Sequence, residues 1–177
     1  MMPDTVVLAA ERGPDPLPLN EAQLVQNTAL GSVLIWQCVY AYADKANHSC
    51  PLPLCFLVLP ILFHHATRRA AESTSKSSPL SKFVEKFDGN RQDLLAIHHR
   101  MIALRSLSLR SIQLGSHRGL LAIDAATATV TPTRLSPLPT RHQPERLRKM
   151  FRAAERLGIW MAPHPISNIA AALRVQF

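Results

Sequence analysis

Pro51-Leu52-Pro53-Leu54-Cys55-Phe56-Leu57-Val58-Leu59-Pro60-Ile61-Leu62-Phe63 is a run of thirteen residues without charge or strong polarity, and it stops abruptly at His64-His65-Ala66-Thr67-Arg68-Arg69. A stretch this apolar has to be covered by the rest of the chain. A transmembrane helix needs about 20 consecutive apolar residues, whereas this run is shorter and holds three prolines. It therefore reads as a buried core segment. Pro53 suits the first turn of a helix, where a missing N–H costs little, and Pro60 is expected to bend or break that helix.

The segment just upstream supplies the partner for this core. Asn27 is a plausible N-cap, followed by Leu30, Val33, Leu34, Gln37 and Tyr40-Ala41 at steps of three and four, the period of a helix. Ile35, Trp36 and Val39 widen the apolar face beyond one stripe, the mark of a central helix. At roughly 1.5–3 kcal/mol for each large apolar side chain buried, this helix contributes heavily to the core. Gly31 would let a neighbour approach closely. Lys45 to Ser49 reads as a polar turn.

Downstream, Glu72 to Ser78 is a loop by composition, and Ser78-Pro79 opens a helix whose stripe is Leu80, Phe83, Val84 and Phe87. Residues 91–104 carry Leu94, Leu95, Ile97, His98, Met101, Ile102 and Leu104 at helical spacing; Ser106 and Ser108 interrupt the pattern, and a second helix follows over about Leu107 to Ser116. Gly119 ends it. Leu120 to Asp124 and Thr127 to Thr131 are compatible with β-strands joined by a turn at Asp124 to Ala126. Two helices and a hairpin in this order match a winged helix-turn-helix. Pro132 to Pro144 is proline-rich and irregular. A clear amphipathic helix then runs from Glu145 to Leu157, stopped by Gly158, with Leu147, Met150, Phe151, Ala154 and Leu157 inward. Trp160 is an anchor, and a last short helix starts near Ser167. The expected architecture is mainly α with a small antiparallel β-hairpin: a helical core with a winged helix-turn-helix-like subdomain. Residues 1–23 are an irregular arm, and 24–177 form a single helical domain whose winged part lies at about 91–134.

The 177 residues carry a formal net charge of +8. It is placed unevenly: residues 1–60 sum to −3, 61–119 to +6 and 120–177 to +5. Positive charge of this kind favours nucleic acid or an acidic protein surface. On the winged reading, Arg105, Arg110 and Gln113 lie on the exposed side of the second helix, with His117 and Arg118 at the base of the wing. Lys149, Arg152 and Arg156 form a second basic stripe, opposite the buried face of its helix. These six cations, Arg105, Arg110, Arg118, Lys149, Arg152 and Arg156, are the candidate contacts to a partner or to DNA; the plainer alternative is a solvated helix face.

No chemistry-bearing motif accompanies them. His48, Cys50, Cys55, His64 and His65 fall close together, but there is no Cys-x-x-Cys and no zinc-ligand spacing. Three cysteines, two of them within apolar runs, read as reduced thiols. There is no Gly-x-Ser-x-Gly, no phosphate-binding glycine loop and no carboxylate cluster. His98-His99 reads as a packed histidine beside a solvated one. No signal peptide is legible, so the expectation is a cytoplasmic protein without catalytic residues, metal or cofactor.

Several runs together resemble one family. Asn27-Thr28-Ala29-Leu30-Gly31-Ser32-Val33-Leu34-Ile35-Trp36 is similar to the opening motif of the middle component of prokaryotic three-component ABC systems. Leu52 to His64 with Thr67-Arg68 resembles that family's proline-bracketed apolar segment and the Thr-Arg after it. His117-Arg118-Gly119-Leu120-Leu121 resembles its His-Gly-Leu-Leu run, and Ala153-Ala154-Glu155-Arg156-Leu157-Gly158-Ile159-Trp160 its Leu-Gly-x-Trp helix. The likeness covers about residues 24–177; Thr28 stands where the family often has proline, and Arg118 interrupts the His-Gly pair. The resemblance implies a non-catalytic adaptor between an SMC-like ABC ATPase and an effector, a nuclease or a protease, in antiphage or antiplasmid defence, with Lamassu-type systems related. DNA would be met through the complex, and no membrane is involved. The alternative from another class is a winged-helix DNA-binding transcription regulator.

Overall fold

The computed structural model describes residues 27–136 and 142–177; the expected arm at 1–23 lies outside them, as does part of the Pro132–Pro144 stretch. In chain order come α1 (Thr28–Ala46), β1 (Cys50–Pro51), α2 (Leu52–Leu62), α3 (His65–Ser73), α4 (Leu80–Glu85), α5 (Arg91–Ala103), α6 (Arg105–His117), β2 (Leu121–Asp124), β3 (Thr129–Pro132), α7 (Glu145–Met161) and α8 (Ile166–Leu173). The described chain is thus mainly helical, with one small antiparallel sheet.

α1 and α2 form the centre. The side chain of Asn27 caps α1 by accepting from the Leu30 N–H at 2.8 Å. Leu34, Ile35, Trp36 and Val39 are fully buried, and α7 and α6 pack along α1 on different sides. From Leu54 to Leu62, every α2 side chain except Phe56 is buried. Two glycines set the close approaches. A Cβ at Gly31 would strike the Ser111 hydroxyl on α6, and one at Gly158 would strike the backbone of α1 at Cys38.

Pro53 lies in the first turn of α2, as expected, but Pro60 lies inside the helix, which ends only at Leu62. Side chains receive the carbonyls left open at that end. Arg100 Nε donates to Pro60 O at 3.2 Å, Thr67 Oγ1 to Ile61 O at 2.7 Å, and Arg68 Nη1 to Leu62 O at 3.2 Å. An apolar helix with a buried C-terminus needs such donors, because its last carbonyls have no partner within the helix. Two of the three cations or hydroxyls involved, Thr67 and Arg68, come from the next helix, α3, which the apolar pattern did not announce.

Gly158 likewise does not stop its helix. α7 continues through it to Met161, and Trp160 lies within the helix. Trp160 stacks on Phe83 with ring centres 5.7 Å apart and donates to Ser75 O at 3.2 Å, which ties α7 to the loop before α4.

The two helices and the hairpin occur in the expected order. The break falls at Leu104 rather than at the serines, since Ser108 and Ser111 face inward on α6 and are buried. The sheet runs β1-β3-β2, so the hairpin gains a third strand from Cys50–Pro51, paired Cys50 to Val130 and Pro51 to Thr129. Pro51 fits there because an edge strand tolerates a missing N–H. α6 packs chiefly against α1, so the winged element is welded to the central helix rather than standing apart from it.

Candidate functional site

A large hollow on the described surface lies between α3 and α7. Its volume is about 950 Å³, and its lining is His65, Arg68, Arg69, Glu72 and Ser73 from α3 with Glu145, Arg146, Lys149, Arg152 and Arg156 from α7. Six of these ten side chains are cations and two are carboxylates, so the groove is strongly positive. Both walls arise from amphipathy. α7 turns Met150, Ala153, Ala154 and Leu157 inward, which leaves the positions between them to the solvent side. α3 buries Thr67, Arg68, Ala70 and Ala71, a narrower stripe of mostly small residues.

The cations of the groove divide by task. Arg68 is only 6% exposed and spans from the Leu62 carbonyl to the Glu72 carboxylate, with Nε 3.7 Å from Oε1. Arg156 Nη1 donates to Ala71 O at 3.0 Å and to Glu72 O at 2.6 Å. Those carbonyls belong to the last turn of α3, where a cation also meets the negative end of the helix dipole. Arg156 therefore locks α3 against α7. Lys149 pairs with Glu145 one turn earlier at 3.2 Å, the favourable order for such a pair. The hydrogen bond from Lys149, with Arg148 and Arg152 nearby, holds the Glu145 carboxyl below its ordinary range. Arg69 and Arg152 are exposed.

The structure thus brings Lys149, Arg152 and Arg156 to one groove, and it adds Arg68, Arg69 and Arg146, which sequence reasoning did not select. The signal for the α3 wall was present in Thr67, Ala70, Ala71 and Thr74, all buried and spaced at helical intervals, but small side chains do not register as an apolar stripe. The other three candidates lie elsewhere. Arg105 lines a second hollow of about 320 Å³ with Leu52, Pro53, Phe56, Met101, Ile102, Ala128, Gln176 and Phe177, most of them apolar. Arg110 and Arg118 are exposed on α6 and at its C-cap, and neither lines the groove. Leu109, half exposed beside Arg110, makes the outer face of α6 mixed rather than purely basic.

A family model describing the ABC-three component (ABC-3C) system Middle Component 3 matches residues 18–177. The chain belongs to this Middle Component 3 family. Neither curated proteins nor solved structures yield a match. The apolar runs that carry the family likeness are the keel of this middle component: Leu30 to Trp36 on α1, Leu54 to Leu62 on α2, and the Gly158 contact on α7. Thr67 and Arg68, the pair after the apolar run, close the end of α2. Among the described residues no cluster of three or more His, Cys, Asp or Glu side chains is arranged to hold a metal ion. Cys38, Cys50 and Cys55 are free and buried; burial pushes the Cys38 thiol well up, and a hydrogen bond with Cys55 together with burial does the same for Cys50. Raised thiols remain protonated and act as small apolar groups. No helix among the described residues is long and apolar enough to cross a membrane.

Proposed function

We propose that this middle component is a non-catalytic cytoplasmic adaptor joining an SMC-like ABC ATPase to an effector, a nuclease or a protease, in a defence system of the Lamassu-related kind. The observation that carries this reading is the family match over residues 18–177. It is supported by a fold in which the runs that resemble the family's motifs lie mostly in the core, and which presents a strongly charged groove on the described surface. The proposed unit is residues 24–177 as a single domain, with its winged part at about 91–134. Its partner surface is the basic face of α7 together with the rim of the winged part.

The test is co-expression of the three components and affinity purification through the middle component. The wild type is expected to retain ATPase and effector. Arg69→Glu/Lys149→Glu/Arg152→Glu is expected to lose one of them, and Arg156 is spared in that variant because it holds the end of α3. Failure of the wild type to retain either component would reject the adaptor reading.

A DNA-binding regulator is the second reading. It is favoured by the helix-helix-hairpin order and by the exposed Arg105 and Arg110. Such a regulator binds a specific duplex alone, with steep salt dependence. An adaptor binds DNA weakly or only within the assembled complex. A gel shift of the isolated protein, with and without its partners, separates the two.

A further inference from the structure

We propose that the α3–α7 groove receives an acidic polypeptide segment of a partner subunit, one carrying carboxylates at intervals of three to four residues. The existence of a partner rests on the adaptor reading above; the chemistry of the segment rests on the groove itself.

The first ground is the arrangement of charge. Arg146, Lys149 and Arg152 follow one another at three-residue steps along α7, which is about 4.5 Å per step along the axis. Carboxylates placed three or four residues apart on a facing helix recur at the same interval. Arg69 stands on the opposite wall, so a segment lying in the groove is held from both sides. Arg69 and Arg152 are exposed, so they can meet an incoming carboxylate without breaking a buried contact.

The second ground is shape. α3 and α7 are direct packing neighbours, and Arg156 fixes α7 to the Ala71 and Glu72 carbonyls. The groove is a preformed, two-walled cleft. A duplex is wider than the space between two packed helices, and its phosphates would meet only the rims. Single strands are held by stacking on aromatic side chains, and the lining contains no Phe, Tyr or Trp.

The third ground is the pair of carboxylates. Glu72 and Glu145 interrupt the positive lining. They repel an unbroken row of phosphates, which carries no cation of its own. A peptide can answer them with a Lys or Arg among its acidic residues, and Lys149 can then exchange Glu145 for a carboxylate of the segment. The two Glu residues therefore act as selectors for a mixed, mainly acidic sequence.

The experiment uses the full chain and fluorescence anisotropy at low salt. The probes are a short labelled helical peptide with Glu at three- and four-residue spacing, its Gln counterpart, and a DNA duplex and a single strand of matched charge. The Glu peptide is expected to bind the wild type more tightly than any other probe. Binding should fall by about tenfold or more in Arg69→Glu/Arg152→Glu, the scale expected for removing close charge pairs at an interface. It should stay within about twofold in the charge-matched Lys45→Glu/Arg91→Glu, which rules out a general effect of net charge. Thermal melts of both variants check folding. Equal binding of the Glu and Gln peptides, or equal loss in both double variants, overturns the proposal. Tighter binding of either nucleic acid through Arg69 and Arg152 also overturns it, in favour of a nucleic-acid groove. If the peptide fails while co-purification with ATPase and effector holds, the acidic-segment proposal falls alone. If co-purification fails, the adaptor reading falls whatever the peptide does.

Discussion

The C-terminal end of α2 and the outer side of α7 use the same residue type for opposite purposes. At the end of α2, arginines point inward: Arg100 and Arg68 donate to Pro60 and Leu62 carbonyls that would otherwise be open in an apolar surrounding. On α7, Arg152 points to solvent and is held by nothing but its own helix, while one turn away Arg156 is again engaged with carbonyls, those of α3. A formal charge of +8 is therefore no measure of a binding surface. Part of it is structural, closing the ends of α2 and α3, and only the outward part is free to meet a partner. Burial explains the difference in stakes. An inward cation removed leaves an orphan carbonyl in low dielectric, whereas an outward one removed leaves only water.

Substitutions on either side of this division are expected to differ in what they cost. The largest loss is expected from Arg68→Ala, which opens the Leu62 carbonyl and strips Glu72 of its partner; about 3 kcal/mol of stability should go, read by urea denaturation. If Arg68→Ala melts like the wild type, the inward class does not exist. Gly158→Ala comes next. Alanine gains helix propensity, but its Cβ runs into the α1 backbone at Cys38 and Tyr42, and a net loss of about 2 kcal/mol is expected from overpacking. A neutral or stabilised variant would show that α7 does not approach α1 so closely. Thr67→Val keeps the shape and removes the hydroxyl that donates to Ile61 O at 2.7 Å and also reaches His64 O at 3.3 Å, so about 1–2 kcal/mol should be lost. The smallest effect concerns the hairpin. The Thr127 side chain and the Ala126 and Thr127 N–H groups hold the exposed Asp124 carboxyl below its ordinary value. A depressed carboxyl stabilises above its unfolded value, and that contribution is lost as pH falls through the folded one. The stability gap between wild type and Asp124→Asn should therefore shrink on acidification; a gap that widens would contradict the turn.

The large apolar pieces were legible in the sequence because their chemistry is unambiguous. The Leu54–Leu62 run, the Asn27 cap, the apolar faces of α1 and α7 and the helix-helix-hairpin order all follow from side chains with strong preferences. What was hidden depends on weak local signals and long-range partners. α3 buries a stripe of mostly Thr and Ala, which bury little area each and carry little hydrophobic signal. β1 is two residues long and exists only because β3 is beside it. Gly158 looks like a stop when read along the chain, since glycine disfavours helix; its actual role is set by α1, more than a hundred residues earlier. The groove was half legible for the same reason. Lys149, Arg152 and Arg156 stand on a helix marked by large apolar residues, whereas Arg68 and Arg69 stand on one whose buried stripe is mostly Thr and Ala. Nothing in sequence could separate Arg152 from Arg156, because the carbonyls that engage Arg156 belong to the other wall.

The central claim, that the outward cations of the α3–α7 groove dock a partner while the inward ones hold the fold, is tested most directly by one paired measurement. Arg69→Glu/Lys149→Glu/Arg152→Glu is purified from cells expressing all three components and melted beside the wild type. A variant that melts within about 0.5 kcal/mol of wild-type stability yet no longer brings down the ATPase or the effector is the result the account predicts. Full retention of both components by a folded variant would contradict it.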